Sequence, residues 1–332
     1  ADEILKSAPG HPAATQLRGA GFARTGRADD ALAVLEPLAA AHPRWAAAQF
    51  EFGRVVGEAG RGDAAVAALR RAVELAPAHA DAWRLLADHL RAAGETDAAD
   101  AASAQQVRAA TRDPRLLAPA AALCENRIPE AEQALREHLR QFPTDVAAIR
   151  MLAEVAARIG RYGDAAKLLA RCLELAPGFT AARYHHAVVL YRDNQADAAL
   201  AEVERLLAAE PRNPGYRNLK AAILGRTGDY EQSIALYAGV LAEYPAQPKV
   251  WMSYGHALKT AGRRAECEAA YRRSAQLLPS FGEAYWSLAN LKTFRFDAAD
   301  VAAMRAQLVR AELADEDRFH FHFALGKALE DE

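Results

Sequence analysis

Small, large and imino residues recur at fixed intervals along the chain, and that recurrence predicts its elements. Pro43, Pro77, Pro143, Pro177, Pro211, Pro245 and Pro279 lie 34 residues apart, or 66 across one gap. Each closes an apolar phrase such as RAVELAP or RCLELAP. A fixed period of this size marks stacked repeats, in which each unit buries its apolar face against its neighbours. With the proline at position 32, units begin at residues 12, 46, 80, 112, 146, 180, 214, 248 and 282.

Position 20 is small in every unit that has it: Ala31, Ala65, Ala99, Ala131, Ala165, Ala199, Ser233 and Cys267. Position 8 is small except at Pro119, and position 24 is mostly large, as at Leu35, Leu69, Leu135, Leu169, Tyr237 and Tyr271. Small residues let two helices approach and large ones fill the space between them. Between them fall GRADDA, GRGDAA, GETDAA and GDYEQS, where glycine stops one helix and a carboxylate opens the next. The proline ends the second helix.

This arrangement resembles the tetratricopeptide repeat (TPR), and VWMSYGHALKTAGRRAECEAAYRRSAQLLP carries the likeness best, with Trp251, Tyr254, Gly255, Leu258, Tyr271 and Pro279 in its places. The resemblance implies an all-α fold, a right-handed superhelical α-α solenoid of about nine helix-turn-helix units. Residues 1–11 read as the remnant of a preceding repeat, with Pro9 at position 32. Residues 12–111 and 112–281 read as two TPR sub-arrays, and 282–332 as irregular C-terminal repeats leading to a missing downstream segment.

Two stretches break the period. Residues 100–130 put Thr111 where proline is expected and add Pro114, Pro119 and Pro129. Pro129 suits a helix start, whereas Pro119 falls inside a first helix and predicts a kink. The alternative is a joint between sub-arrays of different curvature. Residues 292–318, KTFRFDAADVAAMRAQLVRAELADEDR, replace the usual second helix.

Composition narrows the partners. The formal charge of −2 gives no reason to expect nucleic acid or an anionic membrane, and no apolar run reaches the length of a membrane span. Three scattered cysteines without a CxxC fit a reduced, cytoplasmic setting. No HExxH, GxSxG or phosphate-binding glycine loop occurs, so no catalytic residue, metal or cofactor is expected. His185 and His186 are adjacent and point apart, as do His320 and His322. Acidic pairs such as Asp29 and Asp30 read as helix caps.

The C-terminal third carries a narrower likeness. PKVWMSYGHALKTAGR, FGEAYWSLANLKTFRFD and DEDRFHFHFALGKALED resemble bacterial proteins that fuse a TPR array to a sulfotransferase domain. That resemblance implies a catalytic domain beyond Glu332, for which this chain would be the non-catalytic arm. A free-standing protein–protein adaptor is the alternative, and an accessory array of a glycosyltransferase is a weaker third.

Function is therefore expected on the concave face, lined in TPR arrays by first-helix positions 2, 5, 9 and 12. The richest stretch comprises Tyr184, Tyr191, Arg192, Asn218, Arg226, Lys249, His256, Lys259, Trp286 and Asn290. Amides pair with a peptide backbone, aromatic faces hold side chains and cations meet carboxylates. The expected partner is a polypeptide, acidic or tyrosine-bearing, or the chain's own downstream domain. Apolar end faces make end-to-end self-association a further expectation. Earlier units offer Phe50, Arg54, Arg84, Asp88, Arg91, Arg150 and Glu154, and apolar Leu116 and Leu123. Trp83, Trp251, Tyr254 and Tyr285 are expected in the core.

Overall fold

The computed structural model describes residues 2–8, 10–93, 95–110, 113–291 and 294–331, and only the backbone of residues 2, 96, 97, 100, 104, 107 and 110. Pro9, Gly94, Thr111, Lys292, Thr293 and Glu332 therefore lie outside the described residues, together with the expectations attached to them. The described residues form an all-α solenoid without strands. The helices are α1 (Asp2–Ser7), α2 (Pro12–Arg24), α3 (Ala28–Ala41), α4 (Ala46–Glu58), α5 (Gly62–Leu75), α6 (Ala80–Ala92) and α7 (Thr96–Ala110). A 3-10 turn, Pro114–Leu116, precedes α8 (Leu117–Cys124), α9 (Ile128–Gln141), α10 (Val146–Arg158), α11 (Tyr162–Leu175), α12 (Thr180–Arg192), α13 (Ala196–Ala209) and α14 (Pro214–Thr227). Then come α15 (Tyr230–Glu243), α16 (Pro248–Thr260), α17 (Arg264–Leu277), α18 (Gly282–Ala289), α19 (Ala298–Leu308) and α20 (Asp315–Glu330). They make two compact units, Ala1–Leu219 and Lys220–Glu332.

The small and large positions meet as their spacing implies. A Cβ on Gly19 would come within 2.6 Å of Leu35, one on Gly53 within 2.9 Å of Leu69, and one on Gly255 within 2.4 Å of Tyr271. Position 8 is thus pressed onto position 24 of the same hairpin, and those leucines are fully buried. Truncating such a leucine to alanine costs about 2–5 kcal/mol.

The turn is a Schellman cap. Gly26, Gly60, Gly160, Gly228 and Gly262 hold positive φ of 76° to 94°, and Asn126 and Asn194 take the same place at 56° and 63°. In each, the next residue reaches back to close the cap, as from Arg27 N to Phe22 O at 3.0 Å and from Gln195 N to Leu190 O at 2.9 Å. The carboxylates that follow do not all cap amides as expected. Asp30 accepts from Arg27 Nε at 2.7 Å, and Arg27 at the helix start makes no side-chain cap. These acids act through the helix dipole and an ion pair.

Position 4 couples to the proline before it. Trp83 Nε1 donates to Pro77 O, Trp251 Nε1 to Pro245 O, both at 2.8 Å, and Arg183 to Pro177 O at 2.6 Å. Each satisfies a carbonyl that the ended helix leaves free.

Both irregular stretches resolve differently from expectation. Pro119 causes no kink, because α8 begins at Leu117 and puts Pro119 in its first turn, where no amide donor is missed. Asp113 caps the 3-10 turn that absorbs the preceding residues. Residues 292–318 do contain a second helix, α19, opened by a capping box of Asp297 and Asp300. α18 ends at Ala289, and α18 packs chiefly on α20. There Gly282 N donates to Asp317 Oδ1 at 2.8 Å, and a Cβ on Gly282 would fall 2.4 Å from the Asp317 carbonyl oxygen. Only glycine permits that approach.

Candidate functional site

In the first unit the inner face is crossed by side chains. Arg84 and Asp88, one turn apart on α6, reach the segment between α13 and α14. Arg84 donates to Glu210 Oε1 at 2.7 Å and to Tyr216 Oη at 2.8 Å, and lies 3.3 Å from Asp88 Oδ2. Asn213 donates to Asp88 at 3.2 Å and to Glu210 at 2.9 Å, while its own Oδ1 accepts from the Gly215 and Tyr216 amides. These partners are up to 132 residues apart, in a fold whose units otherwise touch their neighbours.

The clasp is buried. Side-chain exposure is 13% for Arg84, 6% for Asp88 and 19% for Glu210. Burial opposes the charge on Arg84, yet Glu210, Tyr216 and Asp88 hold its guanidinium above the usual range. Burial raises the Asp88 carboxyl, against the pull of Arg84. A small cavity beside the clasp is lined by Arg54, Glu58, His89, Glu210, Arg212 and Asn213, and Gly57 leaves room for the His89 ring, 2.6 Å from where a Cβ would stand.

Tyr184 belongs to this cluster. Its ring lies 5.4 Å from that of Tyr216, and burial pushes its phenol up to about 12. Position 5 of four successive units, Arg84, Leu116, Arg150 and Tyr184, thus turns inward. Arg150 is 7% exposed and makes no hydrogen bond or ion pair among the described residues. Burial lowers its affinity for a proton, opposed by the field of Glu154.

The histidine pair points apart as expected. His185 Nε2 lies 3.3 Å from Glu154 and His186 Nδ1 3.8 Å from Glu202, on different helices. Burial brings His185 down to about 4 despite Glu154. Tyr191 is half-buried on α12, and Arg192 points back to α11, donating to Tyr162 Oη at 3.3 Å, away from Tyr184. Asn218, on α14, is half-buried with its Oδ1 enclosed and unpartnered.

Sequence reading also missed one cluster. Among the described residues Asp113, His138 and Asp145 bring ligand atoms within 4.8 Å of one another. Two of them are helix caps of successive units, a signal legible at position 34. Arg115 donates to both Asp113 oxygens at 2.9 and 3.0 Å and pulls that carboxyl down to about 2. Asp145 caps α10 and lies 2.8 Å from His138. Each donor already has its partner, and a metal ion would have to displace Arg115.

The second unit presents a different inner surface. Lys249, His256 and Lys259 line α16, all exposed, and neither lysine makes an ion pair among the described residues. His256 lies 3.7 Å from Glu283 and holds that carboxyl low, and its Nδ1 is 2.8 Å from Tyr271 Oη. Trp286 lies 5.4 Å from the His320 ring and 6.3 Å from Phe323, centroid to centroid. Phe319 and Phe323 are 66% and 46% exposed. Asn290 turns its amide to the Trp286 carbonyl at 3.0 Å rather than outward. Arg226 is exposed near the end of α14. Trp83 and Trp251 are half-buried and Tyr285 fully so, against Phe321.

Tetratricopeptide repeat models match residues 50–115 and 120–178, and a further one matches 158–223, together just over half of the chain. The chain belongs to the tetratricopeptide repeat family. Among solved structures, the Cut9–Hcn1 hetero-tetramer of the APC/C aligns over 94% of this TPR chain and 63% of its own, at 15% identity and TM-score 0.57. That likeness shows the fold. A MamA fragment from Desulfovibrio magneticus RS-1 aligns over 50% of the TPR chain and 94% of its own, at 20% identity and TM-score 0.47. YrrB, described as a TPR protein with an unusual peptide-binding site, aligns over 64% and 92%, at 14% identity and TM-score 0.42. No curated protein matches the TPR chain. No described helix is long and apolar enough to cross a membrane.

Proposed function

We propose that the chain is a non-catalytic scaffold that holds an acidic polypeptide segment on the inner face of its second unit. The observation that carries this is the occurrence in one unit of two exposed cations without an ion pair among the described residues, Lys249 and Lys259, and of the half-buried Trp286 with the exposed Phe319 and Phe323. Carboxylates of the guest meet the lysines, and its aromatic or aliphatic side chains lie on the rings. His256 and Glu283 between them set the register, accepting from and donating to the guest's backbone.

The test is titration of a fluorescein-labelled Glu- and Tyr-rich peptide into the chain. Lys249→Glu with Lys259→Glu abolishes binding while helicity stays unchanged, and Trp286→Ala weakens it. Binding that survives the double charge reversal sinks this reading.

The narrower reading, that the scaffold serves a protein sulfotransferase, rests on the three C-terminal phrases. The guest is then the protein substrate or the catalytic domain itself. Calorimetry with the sulfuryl donor on a longer gene product is its test, and a longer product without a donor-binding domain ends it in favour of a free-standing adaptor.

A further inference from the structure

The inner face of the first unit already holds a guest of its own. Glu210 offers Arg84 the carboxylate that an acidic segment would offer, and Asn213 offers Asp88 an amide as a peptide backbone would. Tyr216 supplies an aromatic ring against Tyr184 and a hydroxyl to Arg84. Two units further along the same stripe, Arg150 is buried and makes no ion pair or hydrogen bond among the described residues, with only the field of Glu154 on its own helix to offset its charge. A buried guanidinium that no carboxylate contacts directly is costly to keep, and a carboxylate brought against it offsets that cost.

We propose that the segment Glu210–Asn213 occupies in cis a second polypeptide-binding surface, and that a carboxylate-bearing segment from a partner displaces it, pairing with Arg84 and extending to Arg150. Arg84 would then exchange one carboxylate for another, so its charge is never left bare. The guest's gain is the second carboxylate at Arg150, which the cis segment does not fill. This surface involves only first-unit residues and does not depend on Lys249 or Lys259.

The test uses the full chain with Lys249→Glu and Lys259→Glu in place, and the same Glu- and Tyr-rich peptide. Adding Glu210→Gln removes the cis carboxylate at nearly constant shape. Peptide affinity then rises at least tenfold, and adding Arg84→Met or Arg150→Met removes the gain. Glu210→Asp, which keeps the charge but shortens its reach, gives a smaller rise and serves if the amide variant fails to fold. A folded Glu210 variant with no gain overturns the proposal, and so does a gain that survives Arg84→Met. A parent chain that never binds the peptide counts against the second-unit surface alone and leaves these arms to decide.

Discussion

The two units use the first helices of their repeats for opposite ends. In the first, position 5 carries Arg84, Leu116, Arg150 and Tyr184, all turned into a buried interior. In the second, the expected stripe carries Lys249, His256 and Lys259, which stay exposed, and the half-buried Trp286. An arginine at position 5 and a lysine at position 2 of the first helix therefore mean different things. Arg84 faces a carboxylate 126 residues away, and Lys249 is exposed and makes no ion pair among the described residues. Reading a groove from one helix at a time misses this, because the deciding partner stands on an element several repeats distant.

Breaking the clasp is the strongest test of that contrast. Arg84→Met strands Asp88 and Glu210 in a buried site and costs roughly 3–5 kcal/mol. Urea denaturation followed by Trp83 and Trp251 fluorescence resolves which unit is affected, and equal losses in both would erase the distinction drawn here.

Acid sharpens the same contrast. His185 has a folded value of about 4 against an ordinary 6.5, so its contribution is fully present above pH 6.5 and is lost as pH falls through that window toward 4. The loss is up to ~3 kcal/mol, and Glu154, held low despite its burial, adds to it further down. Asp88 and Glu58, both raised by burial, work in the opposite direction. The measurement is thus the difference in denaturation midpoint between the parent and His185→Phe at pH 7 and pH 5. The parent loses more on acidification, and parallel shifts refute the assignment.

In the second unit, Gly282→Ala drives a methyl into the Asp317 backbone and costs about 1–3 kcal/mol, read as a lower thermal midpoint. Smallest of all, Lys249→Ala and Lys259→Ala change stability by less than about 0.5 kcal/mol, since both are exposed and unpaired. A larger loss would make them structural residues rather than contacts for a guest.

Much of the fold was legible from local chemistry. The small–large pairing of Gly53 with Leu69 and of Gly255 with Tyr271 follows from spacing alone, as does the turn glycine. Asn126 and Asn194 at the same turn position were also readable, because asparagine tolerates the left-handed region. The harmless position of Pro119 was not, since it depends on where a helix begins after a 3-10 turn. The candidate site divides in the same way. Lys249 and Lys259 are exposed and Trp286 half-buried, whereas Arg192 turns back to Tyr162, Asn290 to its own helix, and Tyr184 into the clasp.

By itself, then, the order of residues determined the hairpin, its caps and the stacking of like on like, because those depend on contacts within about one repeat. Which parts of the inner face are filled and which are open was decided only in three dimensions. Glu210 and Tyr216 meet Arg84 across four repeats, and no period along the chain encodes that meeting.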